Sequence, residues 1–505
     1  NFKEKDAREL ASVLENPLRT PVTIEETRSV SPTLGQDSIR SGIVSGLGGL
    51  ALVMLFVFCY YRLAGLVALF GLLINIVLLF GMMSMFHFVL TLPGIAGIIL
   101  TIGLAVDANV LLYERLREEL AAGKSLGAAL DGAYSKAFSA IFDANATTLI
   151  TAGILFWQAT GPVRGFSITL MLGIIASLFS AILFTRTAFR WMTALFGLKR
   201  LTMANLAPRR HFDFLGKRKL AVLVSVVLIG GSIVVFALRG ANNFGIDFRG
   251  GDLLVLDSKP ALSVDEARSA IAPLHLAEAT IQLEQAGTQQ MIAIRSGVDT
   301  SSRILDALQK SFPDRGITPA QQEKVGGQIG TEFAKKALLA LGLGMVGILI
   351  FVTLRFEFSF AVGALVALLH DVIITAGVFS LTGGEFSLVM VGAILTIAGY
   401  SINDTIVVYD RIREGLRVGA GGGVEALMNR SINETLGRTM LTGGLTLLSV
   451  AALFFFGGAV LKDFAFAILI GILVGTYSSV FVASPIVLWC SKWGAKRAAA
   501  GKAVA

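Results

Sequence analysis

The sequence predicts a polytopic α-helical membrane protein: two parallel pseudo-symmetric repeats of transmembrane helices plus a ferredoxin-like α+β extracytoplasmic domain. Three observations predict it. The 505 residues are 54% hydrophobic and only 15% charged, whereas soluble domains carry about 25% charged residues. Apolar runs long enough to cross a ~30 Å hydrocarbon core recur along the chain. Short strings also repeat at a separation near 295 residues, as expected for an internally duplicated transporter-like bundle.

In chain order, residues 1–38 are polar and are expected to be the tail of a larger extracytoplasmic domain. Five spans follow near 41–61, 63–84, 93–113, 140–160 and 166–188, giving a first repeat over 39–190. A basic linker over 191–218 leads to a further span at 219–238. Residues 239–334 read as the small α+β domain. The strand-like DLLVLD is followed by helix-like SVDEARSAIAPL, two more strands (ATIQLEQ, MIAIRS) and the helix SSRILDALQKSF. That β-α-β-β-α order is ferredoxin-like. The second repeat covers 335–492, with spans near 335–354, 360–382, 386–410, 436–457 and 464–490, and a basic tail occupies 493–505.

The duplication is visible in three pairs. VSPTLG at Val30 recurs as VGGQIG at Val325, LTI at Leu100 recurs at Leu395, and YERLRE at Tyr113 recurs as YDRIRE at Tyr409.

The 43 Lys and Arg residues outnumber 35 Asp and Glu, a balance that elsewhere suggests nucleic acid. Their placement argues for a bilayer instead. Loops 114–138, 189–218 and 411–435 and the C-terminal tail are basic, whereas 85–92, 383–385 and 458–463 hold only Lys462. By the positive-inside rule the basic loops and the C-terminus are cytoplasmic, and regions 1–38 and 239–334 lie outside. An odd number of spans then follows an outer N-terminal region, which predicts an additional upstream span. Four scattered histidines show no zinc-ligand spacing, so no metal site is expected. The two cysteines, Cys59 and Cys490, predict no disulfide.

Charged residues inside spans are the candidate functional groups, because each costs roughly 3 kcal/mol or more at bilayer depth. Asp107 stands in GLAVDANVLLYERLRE and Asp404 in YSINDTIVVYDRIRE. Six and five residues before the tyrosines that end their runs, both lie roughly 10 Å inside the helix end. Arg438, in NETLGRTMLTGG, can compensate Asp404 if its helix starts earlier, near Asn433. Asp371, with His370 beside it, lies mid-span. Asn403 and Asn109 can hydrogen-bond either protonation state of a carboxylate, making them supporting partners. Burial favours a protonated carboxyl and a guanidinium favours an ionised one. A site that alternates between those conditions can load and release protons, the only coupling ion expected; no cofactor is expected.

At VTIEETRSVSPTLGQDSI, GLAVDANVLLYERLRE, GIDFRGG, LLHDVIITAG and YSINDTIVVYDRIRE the chain resembles the bacterial SecDF protein translocase family, with SecD and SecF portions fused. That family belongs to the resistance–nodulation–division superfamily. The resemblance implies a location in the bacterial inner membrane. It also implies a proton-motive-force-driven accessory of the SecYEG channel, acting on unfolded preproteins from the outer side, with no hydrolytic site of its own. By motif position it places the family's essential aspartates and arginine on Asp107, Asp404 and Arg438. Of the family's large first outer domain, only the tail is expected within these residues. The aspartates are also offset, since a shift of 296 places Asp107 on Asn403. A small-molecule or lipid exporter of the same superfamily is the alternative. An intramembrane aspartyl protease is a weaker one, because VDAN and INDT lack the glycine next to aspartate expected there.

Overall fold

The computed structural model describes residues 24–195, 197–198, 201–204, 211–276, 279–286, 289–418 and 423–491. The expected polar opening before residue 24 and the tail 493–505 lie outside that set. Among the described residues, eleven helices are long and apolar enough to cross a membrane. In the first half they are α1 (Pro32–Tyr61), α2 (Leu63–Met85), α3 (Leu92–Ala121), α4 (Leu126–Gln158) and α5 (Gly161–Leu195). The second half supplies α6 (Arg218–Arg239) and, after the small domain, α9 (Gly327–Arg355), α10 (Phe358–Leu381), α11 (Leu388–Val418), α12 (Val424–Phe456) and α13 (Ala459–Ser491).

Several helices start earlier than hydropathy alone predicts: α1 at residue 32 rather than 41, α4 at 126 rather than 140, and α12 at 424 rather than 436. An apolar window sees only the part of a helix that lipid can solvate, whereas the backbone hydrogen bonds run on through polar turns.

The membrane helices form one compact unit. Its two central helices are α3 and α11, whose apolar windows are 89% and 100% buried. Their packing is reciprocal: α3 lies against α12, and α11 lies against α4. Small residues make these crossings possible, as is common where lipid offers no hydrophobic drive for association. A Cβ built on Gly103 of α3 would stand 2.8 Å from Ser449 Oγ and 3.0 Å from Thr446 Cα on α12. On Gly399 of α11 it would stand 2.7 Å from Thr151 Oγ1 and 3.2 Å from Thr148 Cα on α4. Gly103 and Gly399 are themselves repeat equivalents. The abundant glycines of these spans therefore serve close approach. In each repeat the last helix contains a π-helical turn, Ser180–Phe184 in α5 and Ser479–Ala483 in α13.

The second unit is a five-stranded sheet with helices on it. Its strands are β1 (Glu26–Val30), β2 (Gly251–Asp257), β3 (Thr280–Ala286), β4 (Gln289–Ser296) and β5 (Thr318–Val325), in the order β1-β5-β2-β4-β3. Helices α7 (Val264–Ile271) and α8 (Ser301–Ser311) complete a β-α-β-β-α-β module. Alternating Leu254, Leu256, Ile292 and Ile294 face Ala267, Ile271, Ile304 and Leu308 in its core. The strand β5 is absent from the sequence expectation because TPAQQEKV is mostly polar, burying only Ala320 and Val325.

The N-terminal segment also differs from the expectation. Residues 26–30 complete this sheet, pairing antiparallel with β5 from Glu26↔Val325 to Val30↔Gln321, and residue 32 already opens α1. Arg28 fixes that edge by donating to Asp247 at 2.8 Å. The repeated strings VSPTLG and VGGQIG thus begin at the ends of two strands that hydrogen-bond one another.

At the start of α7, Ser263 and Glu266 form a reciprocal capping box, and Arg315 grips the Glu266 carboxylate at 2.6 and 3.0 Å. These bonds, Arg315 first, hold the Glu266 pKa down to about 2 from an ordinary 4.5. Stabilisation from a depressed carboxylate is complete above its unfolded-state pKa and fades as pH falls toward the folded one. Amide protection in the first turn of α7 is therefore expected to be flat above pH 4.5 and to decline between 4.5 and 2, with no such decline in Glu266→Gln. Hydrogen exchange read across that range checks it.

A second expectation concerns the crossings. The Cα atoms facing Gly103 and Gly399 cannot rotate away, so Gly399→Val is expected to cost about 1–3 kcal/mol from overpacking. A lowered unfolding temperature in detergent would show it, and Gly153→Val, with nothing within 4 Å of its Cβ position, is expected to lack the effect.

Candidate functional site

Helices α3, α11 and α12 bring the predicted charged residues together in the bundle centre. Asn403 Nδ2 donates to Asp107 Oδ2 at 2.8 Å. These two residues are repeat equivalents, so the pseudo-symmetry axis passes between their side chains. Asp404, one position further along α11, is 4% exposed. Asp107, Asp404 and Arg438 lie within electrostatic reach of one another.

Arg438 departs from the sequence expectation. Its helix starts fourteen residues upstream at Val424, placing the guanidinium well inside the bundle, yet no carboxylate among the described residues approaches it within ion-pairing distance. Arg438 Nη2 and Asp404 Oδ2 are both buried without a hydrogen-bond partner. The guanidinium therefore compensates both carboxylates through space, rather than closing a bridge to Asp404. A buried charge held near but off its counter-charges is a high-energy arrangement, which small movements of α12 against α3 and α11 would change.

Asn109 does not join this cluster. Its Nδ2 turns back to the Ala105 carbonyl of its own helix at 3.3 Å, and its Oδ1 is buried without a partner. Asp371 and His370 are also elsewhere. Asp371 is fully buried on α10, where it accepts from Ser401 Oγ at 2.5 Å and Ser478 Oγ at 2.7 Å. Its Oδ1 meets His370 Nδ1 at 2.9 Å, and His370 Nε2 meets Ser225 Oγ of α6 at 3.1 Å. This second network meets the first at α11, where Ser401 precedes Asp404 by one turn, and at α13, where Thr476 beside Asp404 precedes Ser478 by two residues.

The structure adds residues that spacing alone did not single out. Tyr400, one turn before Asp404 and 4% exposed, stands beside both carboxylates. From Arg438 a cleft of about 100 Å³ leads toward the basic end of the bundle, lined by Glu114, Glu118, Asp410, Glu414 and Glu434. Across its mouth Arg115 Nη2 pairs with Glu414 Oε1 at 2.8 Å, while the repeat-equivalent pair, Arg411 and Glu118, stands at 3.9 Å. Arg411 is instead drawn to Glu414 at 2.8 Å and to Glu434 at 2.7 Å. The YERLRE and YDRIRE strings are therefore the two sides of one reciprocal charge lattice, tight on one side and relaxed on the other. The clue lay in the repeat itself, since equivalent residues beside a pseudo-axis must face each other. Asp143 of α4, 5% exposed, is a further buried carboxylate. It pairs with Arg355 Nε at 2.5 Å and ties α4 to the end of α9.

Comparison with known proteins places this arrangement. The family described as protein export membrane protein SecD/SecF, C-terminal, matches residues 12–194 and 305–493. A protein translocase subunit SecDF of Brucella abortus biovar 1 (strain 9-941) is 35% identical over 502 residues, covering 96% of this chain and 65% of that protein. The SecDF of Thermus thermophilus is 40% identical over 501 residues, covering 98% of this chain and 68% of the relative. This chain thus spans about two thirds of the length of those relatives.

Among solved structures, that of Thermus SecDF, described as a translocon-associated membrane protein, superposes with a TM-score of 0.88 at 39% identity over 97% of this chain and 68% of the other. A heavy metal efflux pump superposes with a TM-score of 0.61 at 11% identity over 96% of this chain and 71% of the pump, and shares the fold alone. The chain belongs to the SecD/SecF family of protein export membrane proteins.

Proposed function

We propose that this chain is the membrane engine of a Sec-pathway translocase subunit. Proton movement through Asp107, Asp404 and Arg438 rocks one repeat against the other and assists preprotein export from the outer side. The single observation that carries this reading is the Asp107–Asn403 hydrogen bond on the pseudo-axis, with Asp404 Oδ2 and Arg438 Nη2 buried beside it and without a hydrogen-bond partner. Desolvation favours a protonated carboxyl, and a nearby guanidinium favours an ionised one. Sliding α12 would therefore exchange a proton-holding state for a proton-releasing one. The cleft from Arg438 supplies a water-sized path on the basic side, which is cytoplasmic by the distribution of Lys and Arg. Each proton crossing 100 mV supplies roughly 2.3 kcal/mol, so pulling on a polypeptide needs repeated cycles.

The coupling outward would run through the two repeat-equivalent strands. β1 runs through one residue into α1, and β5 runs through one residue into α9. A rocking of α1 against α9 would thus be transmitted directly to a paired β-ladder. Partners on this reading are the SecYEG channel and unfolded preproteins, with no cofactor other than protons and no hydrolytic site.

In the full-length protein, Asp404→Asn is expected to reduce export to the level seen without proton motive force, with membrane assembly unchanged. Precursor accumulation in cells and export into inverted vesicles measure it. Sensitivity to small toxic compounds without precursor accumulation would instead support an exporter of small molecules. Unchanged export would make Asp404 a packing residue.

The cleft mouth gives a second expectation. If the Arg115–Glu414 contact must part during each cycle, joining the two positions stops it. With Cys59 and Cys490 replaced, Arg115→Cys/Glu414→Cys treated with a short reducible bis-thiol reagent is expected to lose proton-driven export and regain it on reduction. Either single cysteine should remain active throughout.

A further inference from the structure

We infer that the groove between α6, α10 and α13 is a binding site for one anionic phospholipid, drawn from the leaflet at the basic end of the bundle. This goes beyond export and does not depend on it. The groove encloses about 730 Å³ and is walled by Val222, Val226, Ile229, Val366 and Phe481, with His370 and Ser225 at its floor. That volume lies within the ~300–1,000 Å³ of small-ligand sites.

Its length is that of one leaflet. On α6 it is lined from Arg218 to Ile229, which at 1.5 Å per residue is ~16 Å, half the hydrocarbon thickness. The polar floor is already satisfied, because His370 Nε2 and Ser225 Oγ bond each other. The walls therefore ask for a hydrocarbon chain.

The mouth asks for negative charge. Arg218 is held by Glu425, but Lys219, which lines the mouth beside it, and Lys217, one residue before the lining begins, are both exposed and without an ion-pair partner among the described residues. Trp489, 66% exposed, completes the rim, where an amphipathic ring settles at headgroup depth. Two free ammonium groups, an interfacial indole and an apolar slot one leaflet deep are the parts of an acyl-chain site with a phosphate-binding mouth. Clustered basic residues at the ends of transmembrane helices recognise anionic headgroups in this way.

The test is fluorescence quenching by brominated lipids in reconstituted full-length protein with Trp489 as the single tryptophan of this chain, Trp157, Trp191 and Trp493 being replaced by Phe. A second protein keeps only Trp191, which lies on the repeat-equivalent helix α5 and is similarly exposed at 65%, as the reference for bulk lipid. Brominated phosphatidylglycerol is expected to displace phosphatidylcholine from around Trp489 with a preference of roughly 5- to 30-fold, the scale of two lysines at a membrane surface. The Trp191 protein should show little preference. Lys217→Gln/Lys219→Gln is expected to bring Trp489 down to the Trp191 level. Val226→Phe, which fills the slot and leaves the charges, should do so too. Equal quenching of Trp489 and Trp191, or a preference that survives both changes, overturns the site. Elution as a single species in detergent shows that each variant is folded.

Discussion

A carboxylate in the middle of a membrane bundle must be solvated by protein, and the arrangement around Asp107 follows from that requirement. The hydrocarbon core offers no bulk water, and an isolated charge there costs several kcal/mol. The amide of Asn403, arriving from the other repeat, supplies the nearest compensation at 2.8 Å. For that amide to reach, α3 and α11 must sit face to face, and their neighbours must close in around them. Gly103 against α12 and Gly399 against α4 permit this approach on the two sides. The duplication is therefore a geometric condition of the site, because only equivalent residues on equivalent helices meet at the axis.

The symmetry is broken where chemistry would need it broken. A perfect repeat would oppose two identical side chains at the axis. Here aspartate faces asparagine, and the second carboxylate is displaced by one position to Asp404. Arg438 belongs to one half only. The same asymmetry reappears at the cleft mouth, where Arg115–Glu414 is closed at 2.8 Å and Arg411–Glu118 is open at 3.9 Å. The converse arrangement, with Arg411–Glu118 closed and Arg115–Glu414 open, is the one that the proposed rocking would reach. Each such contact is worth only about 0.2–1 kcal/mol where it is exposed, so exchanging one for the other costs little.

The Asp371 network belongs to a different structural level. Its carboxylate is saturated by Ser401, Ser478 and His370, so it reads as a tether among α6, α10, α11 and α13. It lies beneath the groove between α6, α10 and α13, whose floor is formed by its partner His370 and by Ser225. The π-helical turn that starts at Ser479, just after Ser478, matches a similar turn at Ser180 in the first repeat, where Ser180 Oγ donates to the Gly71 carbonyl at 2.5 Å. Both repeats thus distort the same helix where it ties to the second helix of the repeat, one through a carboxylate and one through backbone.

The sequence by itself determined the membrane class, the eleven candidate spans among the described residues, the duplication and the presence of Asp107, Asp404 and Arg438 as charges within apolar runs. Those properties are local: hydrophobic length is set by bilayer thickness, and an intramembrane charge stands out against an apolar run. The contacts that use these residues were decided by tertiary structure. Nothing in NETLGRTMLTGG says that Arg438 stops short of Asp404, since that depends on where α12 crosses α3. Asn109 has the same chemistry as Asn403, yet its helical phase turns it onto the Ala105 carbonyl. The strand β5 and the pairing of residues 26–30 were hidden because a polar strand becomes a strand through its neighbours' backbone rather than its own hydrophobicity. Two stretches nearly 300 residues apart can hydrogen-bond only once the fold has brought their ends together, and single-chain periodicity carries no record of that distance.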